Sequence, residues 1–109
     1  MPLTKEQNKA ITEKKKKQGE LEKLEKKIEN AEEIVASADL ARGIAKKAFK
    51  LEKDKTKKRE KAKISTAAQN RLDKAKRERD KLEEQKKKLN SEIADLKRIQ
   101  LGEGYQFKF

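Results

Sequence analysis

The stretch Glu52–Lys63 reads EKDKTKKREKAK, and only Thr56 and Ala62 within it are uncharged. No hydrophobic seam crosses this stretch, although an apolar heptad pattern lies on each side of it. Heptad patterns of this kind are typical of helices that pack as coiled coils. The charged stretch therefore separates two apolar arms, and the relation between these arms decides the fold.

The apolar residues of both arms follow alternating steps of three and four. In the first arm they are Leu21, Leu24, Ile28, Ala31, Val35 and Ala38. In the second arm they are Ala68, Leu72, Ala75, Leu82, Leu89, Ile93 and Leu96, and the polar residues Arg79, Lys86 and Gln100 occupy the remaining positions of that seam. Leu21 and Leu72 are 51 residues apart, which is seven heptads plus two, so one uninterrupted helix would turn its second stripe away from its first. We predict an all-α fold, a long antiparallel helical hairpin with an extended C-terminal tail. A single long helix that forms an intermolecular coiled coil is the alternative.

Local signals divide the chain into three segments. Residues 1–19 form a basic N-terminal helical arm, in which Thr4 and Gln7 have capping-box spacing and Gly19 marks a weak point or boundary. Residues 20–101 form the coiled-coil hairpin, with its turn near residues 52–66. A second capping-box spacing begins at Thr66 and is a candidate start for the second helix, while Gly102 is a helix stop.

The apolar set of the first arm broadens between Ile34 and Leu51. The stripe there is too wide for a pure two-helix seam, and its alanines suggest the close approach of another helix. Gly43 is either a contact point in this face or a tolerated flaw in the helix.

The residues 102–109 read GEGYQFKF and contain three of the four aromatic residues of the chain. Alternation places Tyr105, Phe107 and Phe109 on one face of an extended strand, which suits addition to the edge of a sheet in a partner protein. Folding of the tail over the open end of its own hairpin is equally compatible with the pattern. We therefore predict that these three aromatic residues dock, either in trans or in cis.

The chain has a formal net charge of +12, which favours acidic partners. Lysine outnumbers arginine 26 to 6, and this balance argues against sequence-specific readout of nucleic acid. Nonspecific contact with the phosphate backbone remains a second hypothesis, because lysine-rich blocks need only face phosphate to contribute. Its candidate residues are Lys14, Lys15, Lys16, Lys17, Lys53, Lys55, Lys57, Lys58 and Arg59.

Cysteine and histidine are both absent from the sequence. Thiolate nucleophiles, zinc fingers and histidine-based catalysis are thereby excluded, and we expect neither an enzyme nor a cofactor or metal site. The first residues have no apolar core of a signal peptide, and no run is long enough for a membrane span, so we expect a cytoplasmic or particle-bound protein that is not secreted through a signal peptide. The leading functional hypothesis is a structural assembly component of a virion, a phage-like particle or another multi-subunit machine, and a homo-oligomer is left open.

Overall fold

A computed structural model describes residues 2–102, and two α-helices make up almost all of them. Helix α1 spans Lys5–Leu51 and helix α2 spans Lys55–Leu101. Only residues 52–54 lie between the helices, so the chain reverses direction at once. The predicted all-α helical hairpin is confirmed, and the alternative of one continuous helix is wrong. The tail, residues 103–109, lies outside the described residues.

The reversal is shorter than the sequence suggested and lies at the beginning of the predicted interval. Asp54 caps α2, because its Oδ1 accepts hydrogen bonds from the backbone N–H groups of Thr56 at 2.9 Å and Lys57 at 3.2 Å. These are two of the N–H groups that a helix start leaves without an internal partner. The Glu52 carboxylate also accepts the Asp54 N–H at 3.3 Å. A helix start at Thr66 was the wrong expectation, since α2 continues through Thr66 without interruption.

Both outer ends of the hairpin agree with the sequence signals. The capping box at Thr4 is confirmed: the Gln7 N–H donates to Thr4 Oγ1 at 3.1 Å and the Thr4 N–H donates to Gln7 Oε1 at 2.9 Å. Gly102 follows α2 with a φ of +74°, and its N–H donates to the Ile99 carbonyl at 3.1 Å. Glycine adopts this left-handed conformation without the steric cost of a Cβ, which explains the confirmed helix stop.

The chain forms two compact units. Unit 1 joins the stretch up to Lys27 with the stretch from Glu83 onward, and unit 2 is Ile28–Leu82. In unit 1 the Gln7 side chain donates to the Gln100 carbonyl at 3.2 Å, and Lys17 pairs with Glu92, so the helices run antiparallel. Gly19 lies inside α1 and does not interrupt it. The predicted N-terminal arm is thus part of α1, and Ala10 within it is buried.

The core of unit 2 consists mostly of alanine. Its buried residues are Ile28, Ala31, Ala38, Ala45, Leu72 and Ala75. Leu72 is 1% exposed and is the largest fully buried side chain among the described residues. Because alanine contributes a single methyl group, this seam lets the two helices approach closely but buries little apolar surface.

Candidate functional site

Several large apolar side chains of α1 in unit 2 lie outside the hairpin seam. Ile34 is 58% exposed, Ile44 is 64% exposed and Leu51 is 71% exposed. Steps of three and four connect these positions through smaller residues, so all of them lie along one side of the helix. We call this surface the outer face, and it comprises Ile34, Ser37, Ala41, Ile44, Ala48 and Leu51, with Leu40 at its edge.

In this part of α1, the exposed outer face carries isoleucine and leucine, whereas the buried seam carries mostly alanine. The seam positions of the same helix segment hold the buried alanines 31, 38 and 45, whereas isoleucine and leucine are exposed. Full burial of an isoleucine or leucine side chain is worth about 1.5 to 3 kcal/mol. Scattered exposed hydrophobic residues are normal, but a contiguous apolar strip marks an interaction surface. The broad apolar stripe in the sequence signalled this surface, although the sequence did not show which side would be covered by α2.

Charged residues beside the outer face are arranged asymmetrically along α1. Residues 28–41 contain four acidic and no basic residues, and residues 42–51 contain four basic and no acidic residues. Glu33, Leu40 and Lys47 are one heptad apart and therefore share one edge of the face. Glu33 and Lys47 are exposed, and neither side chain makes an ion pair or a hydrogen bond with another described residue.

Arg42 occupies a seam position that sequence analysis did not single out. Its Nη2 donates to Asp39 Oδ1 at 3.1 Å, and its Nη1 lies 3.5 Å from Gln69 Oε1. Its Nε is buried and has no hydrogen-bond partner among the described residues. The aliphatic stem of an arginine can cover apolar surface while its head group reaches water. Arg42 thus fills the gap between the small residues Ala38 and Ala45.

The structure separates the first predicted basic block into two pairs. Lys14 and Lys17 are half-buried and face α2, where the Lys14 ammonium donates to Gln100 Oε1 and Lys17 pairs with Glu92. The hydrogen bond to Glu92 raises the pKa of Lys17 above its ordinary value, and the nearby carboxylates act in the same direction. Lys15 and Lys16 are exposed. Only two of the four lysines of this block therefore face solvent as a phosphate-contacting group would.

The second basic block surrounds the short link between the helices. Lys53, Lys55, Lys57 and Arg59 are exposed, whereas the Lys58 ammonium lies over the ring of Phe49, 5.1 Å from its centroid. Residues 53–63 contain seven basic and two acidic residues. This end of unit 2, which we call the basic tip, is the densest positive region that the predicted phosphate-contacting residues form in the described chain.

An ion pair within the basic tip was not predicted. Lys61 pairs with the half-buried Glu52. The hydrogen bond from Lys61 lowers the pKa of Glu52, and the hydrogen bond from the Asp54 N–H lowers it further. Glu52 therefore accepts one hydrogen bond from within the link, at Asp54, and one from α2, at Lys61. The only sequence signal was the presence of acidic residues at 52 and 54 in an otherwise basic run.

The three aromatic residues predicted to dock, Tyr105, Phe107 and Phe109, lie outside the described residues. Within residues 2–102, neither helix has a stretch that is long and apolar enough to cross a membrane. The same residues contain no group of three or more carboxylate, imidazole or thiolate side chains placed to hold a metal ion. Comparison with protein families, with curated proteins and with solved structures found no match to this chain.

Proposed function

We propose that this chain is a non-enzymatic structural component of a larger assembly and that its hairpin binds protein through the outer face. The observation that carries the proposal is the exposure of Ile34, Ile44 and Leu51 beside a seam built from alanine. A chain with 32% apolar residues has few hydrophobic side chains to stabilise its fold. Exposure of the larger ones is accounted for if another protein covers them.

The proposed binding mode is the packing of a helix, or of a pair of helices, against the outer face. Anchors along one side of a helix at steps of three and four are the usual elements of helix-in-groove and helix-on-helix recognition. Residues with small side chains, such as Ser37 and Ala41, alternate with the anchors and leave grooves for the ridges of a partner helix. The assembly that we propose is a virion, a phage-like particle or another multi-subunit machine.

The C-terminal aromatic residues are proposed as a second docking element. Support for this part comes from the alternation of Tyr105, Phe107 and Phe109 in the sequence. Side chains of this type are the most frequent energetic anchors in protein interfaces. The two elements are separable by mutation, because the tail follows the helix stop at Gly102.

Affinity purification of the tagged chain from its native source tests the proposal. We expect the triple variant Ile34→Ser, Ile44→Ser and Leu51→Ser to lose its protein partners by at least about tenfold, since each buried anchor contributes on the order of 1 to 2 kcal/mol. A tail variant with serine at 105, 107 and 109 measures the second element separately. The matched control is Ile99→Ser with Leu101→Ser, two exposed hydrophobic residues of unit 1. Unchanged recovery of partners by the outer-face variant would contradict the proposed surface.

Nonspecific binding of nucleic acid phosphate is the second candidate function, and the basic tip favours it. Lys53, Lys55, Lys57 and Arg59 are all exposed, and none makes an ion pair with a described residue. Exposed lysine and arginine side chains contribute to phosphate affinity because their binding releases counterions. Each phosphate contact steepens the fall of log affinity with log salt concentration by about 0.9.

Binding to a duplex DNA and a duplex RNA of mixed sequence, measured over a range of salt concentrations, tests this second candidate. Replacement of the four tip residues by glutamine should reduce the salt slope by up to about 3 to 4. A charge-matched control replaces Lys5, Lys9, Lys23 and Lys26 by glutamine. An equal reduction in both variants would show an effect of total charge rather than a site at the basic tip.

A further inference from the structure

We propose that a second copy of this chain occupies the outer face, packed antiparallel to the first. The inference rests on the proposed function, because it takes the outer face as the docking surface and names its occupant. It is carried by three features of unit 2: the order of charges along α1, the symmetric placement of its isoleucines, and the small residues between them.

The charge order along α1 is complementary to itself when one copy is reversed. Residues 28–41 contain four acidic and no basic residues, and residues 42–51 contain four basic and no acidic ones. Arg42 lies in the seam and pairs with Asp39, so these two charges do not act at the outer face. Glu33 and Lys47 lie on one edge of the face and are exposed. Antiparallel packing of two copies places Glu33 of each copy near Lys47 of the other, whereas parallel packing would place like charges together, so the edge charges favour the antiparallel orientation.

The isoleucine pair and the edge charges have centres of symmetry that are one residue apart. Ile34 and Ile44 are equidistant from residue 39, and Glu33 and Lys47 are equidistant from residue 40. A twofold axis near these residues brings Ile34 of one copy to Ile44 of the other and Glu33 of one copy to Lys47 of the other. Each contact then occurs twice, as in any isologous dimer.

The centre of the outer face permits two helices to approach closely. Ser37 and Ala41 lie on the face on either side of the axis, and both are small and exposed, while Leu40 lies at the edge of the face. Helices that pack through small residues reach the short end of the usual 8 to 10 Å range of interaxial distances. Isoleucines on either side can then interdigitate.

Sedimentation velocity of the purified full-length chain tests the inference. We expect a concentration-dependent dimer between about 1 and 200 μM, the range of affinity that a small and partly polar interface provides. The double variant Ile34→Ser with Ile44→Ser should remain monomeric over the same range. Circular dichroism should show that this variant keeps its helices, because both residues are more than half exposed. A tail variant with serine at 105, 107 and 109 should still dimerise.

Charge reversal distinguishes this dimer from other modes of association. Glu33→Lys alone places two positive residues against each other at both ends of the interface, and Lys47→Glu alone places two negative residues there. Each should weaken self-association about fivefold to tenfold. A mixture of the two single variants should restore it, since every contact in the mixed dimer again joins opposite charges. The matched control pair is Glu22→Lys and Lys26→Glu, two exposed residues of unit 1, whose mixture should show no rescue.

Two results would overturn the inference: a monomer at every concentration, and a dimer that persists in the Ile34→Ser, Ile44→Ser variant. Absence of rescue in the mixture would overturn the antiparallel arrangement. These failures are distinct from failure of the proposed function. If the chain is monomeric and the outer-face variant still loses its partners in affinity purification, the face binds a different protein and the proposed function stands.

Discussion

In both unit 1 and unit 2 two helix segments pack against each other, but the side chains in the two seams differ. In unit 1 the seam contains leucine, with Leu24 buried and Leu89 half-buried. In unit 2 most of the buried seam residues are alanines, and isoleucines at 34 and 44 are exposed. A seam of leucines stabilises two helices by their own contact, whereas a seam of alanines provides closeness without much buried area. The difference supports the proposal that unit 2, unlike unit 1, packs against additional helices.

The largest expected effect comes from the one large side chain that unit 2 buries completely. Leu72→Ala should lower the free energy of unfolding by about 2 to 5 kcal/mol, because Leu72 is 1% exposed and its removal leaves a cavity among alanines that cannot fill it. Chemical denaturation followed by circular dichroism measures the change. Leu40→Ala is the control, since Leu40 is 68% exposed and should change stability by less than about 0.5 kcal/mol. Equal effects of the two substitutions would show that the alanine seam is not the core of unit 2.

The two glycines within α1 provide a smaller and more selective comparison. Gly19 lies in unit 1 and Gly43 in unit 2, and a Cβ added at either position would meet no atom within 4 Å. Replacement of either glycine by alanine should stabilise the monomer by about 0.5 to 1 kcal/mol, since alanine loses less backbone entropy on helix formation. Thermal unfolding at low micromolar concentration measures both effects.

The stabilities of the same two glycine variants can also be compared at high protein concentration. Both variants should keep their full advantage under conditions where the chain dimerises, because residue 43 is not an outer-face position and lies about 160° around the helix from Ala41. A selective loss of the advantage in Gly43→Ala would show that the dimer contact involves the side of α1 that carries Gly43 rather than the outer face.

The smallest expected effects concern the two ion pairs, one in each unit. Glu52 has a lowered pKa through its hydrogen bonds from Lys61 and the Asp54 N–H, so its contribution is present above the ordinary pKa of glutamate, about 4.3, and is lost as pH falls through the lowered value. Lys17 has a raised pKa through its hydrogen bond to Glu92, so its contribution is present below the ordinary pKa of lysine, about 10.4, and is lost as pH rises through the raised value.

Denaturation midpoints across the pH range measure these contributions against variants that lack them. Glu52→Gln should make the midpoint less sensitive to acid, and Lys17→Met should make it less sensitive to alkali. Glu52→Gln should leave the alkaline part of the profile unchanged, and Lys17→Met should leave the acid part unchanged. Both pairs are partly solvated, so the changes should be small and should decrease with added salt. A variant with an unchanged profile would show that its ion pair contributes nothing to stability.

Heptad phase and polarity were sufficient to predict the hairpin, because the seams of the two arms cannot share one straight helix. Both outer ends were also predictable, since the Thr4 capping box and the Gly102 stop are local interactions. The position of the bend was less predictable. Asp54 starts α2 with its own side chain, but one capping residue among many lysines gives a weak signal next to the capping-box spacing at Thr66.

The proposed interaction surfaces were only partly predictable because their definition depends on how the helices face each other. The width of the stripe between Ile34 and Leu51 indicated another helix, but only the structure shows that alanine faces α2 and isoleucine faces outward. Four consecutive lysines appear equivalent in a sequence. The structure distinguishes Lys14 and Lys17, which bind residues of α2, from their exposed neighbours. Long-range pairs such as Lys17 with Glu92 have no local signal.

The three-residue link between the helices also determines when each part of the protein can fold during synthesis. Unit 2 is continuous in sequence, so its two helix segments can pair as soon as residue 82 has left the ribosome. The stretch up to Lys27 has no partner until the stretch from Glu83 onward has been translated. Closing a loop of about 55 residues rather than 3 costs about 2 to 3 kcal/mol more in entropy, so helix pairing within unit 1 should follow helix pairing within unit 2. At about 5 to 20 residues per second, the lysines of the stretch up to Lys27 therefore remain unpaired for several seconds and can contact any acidic surface nearby.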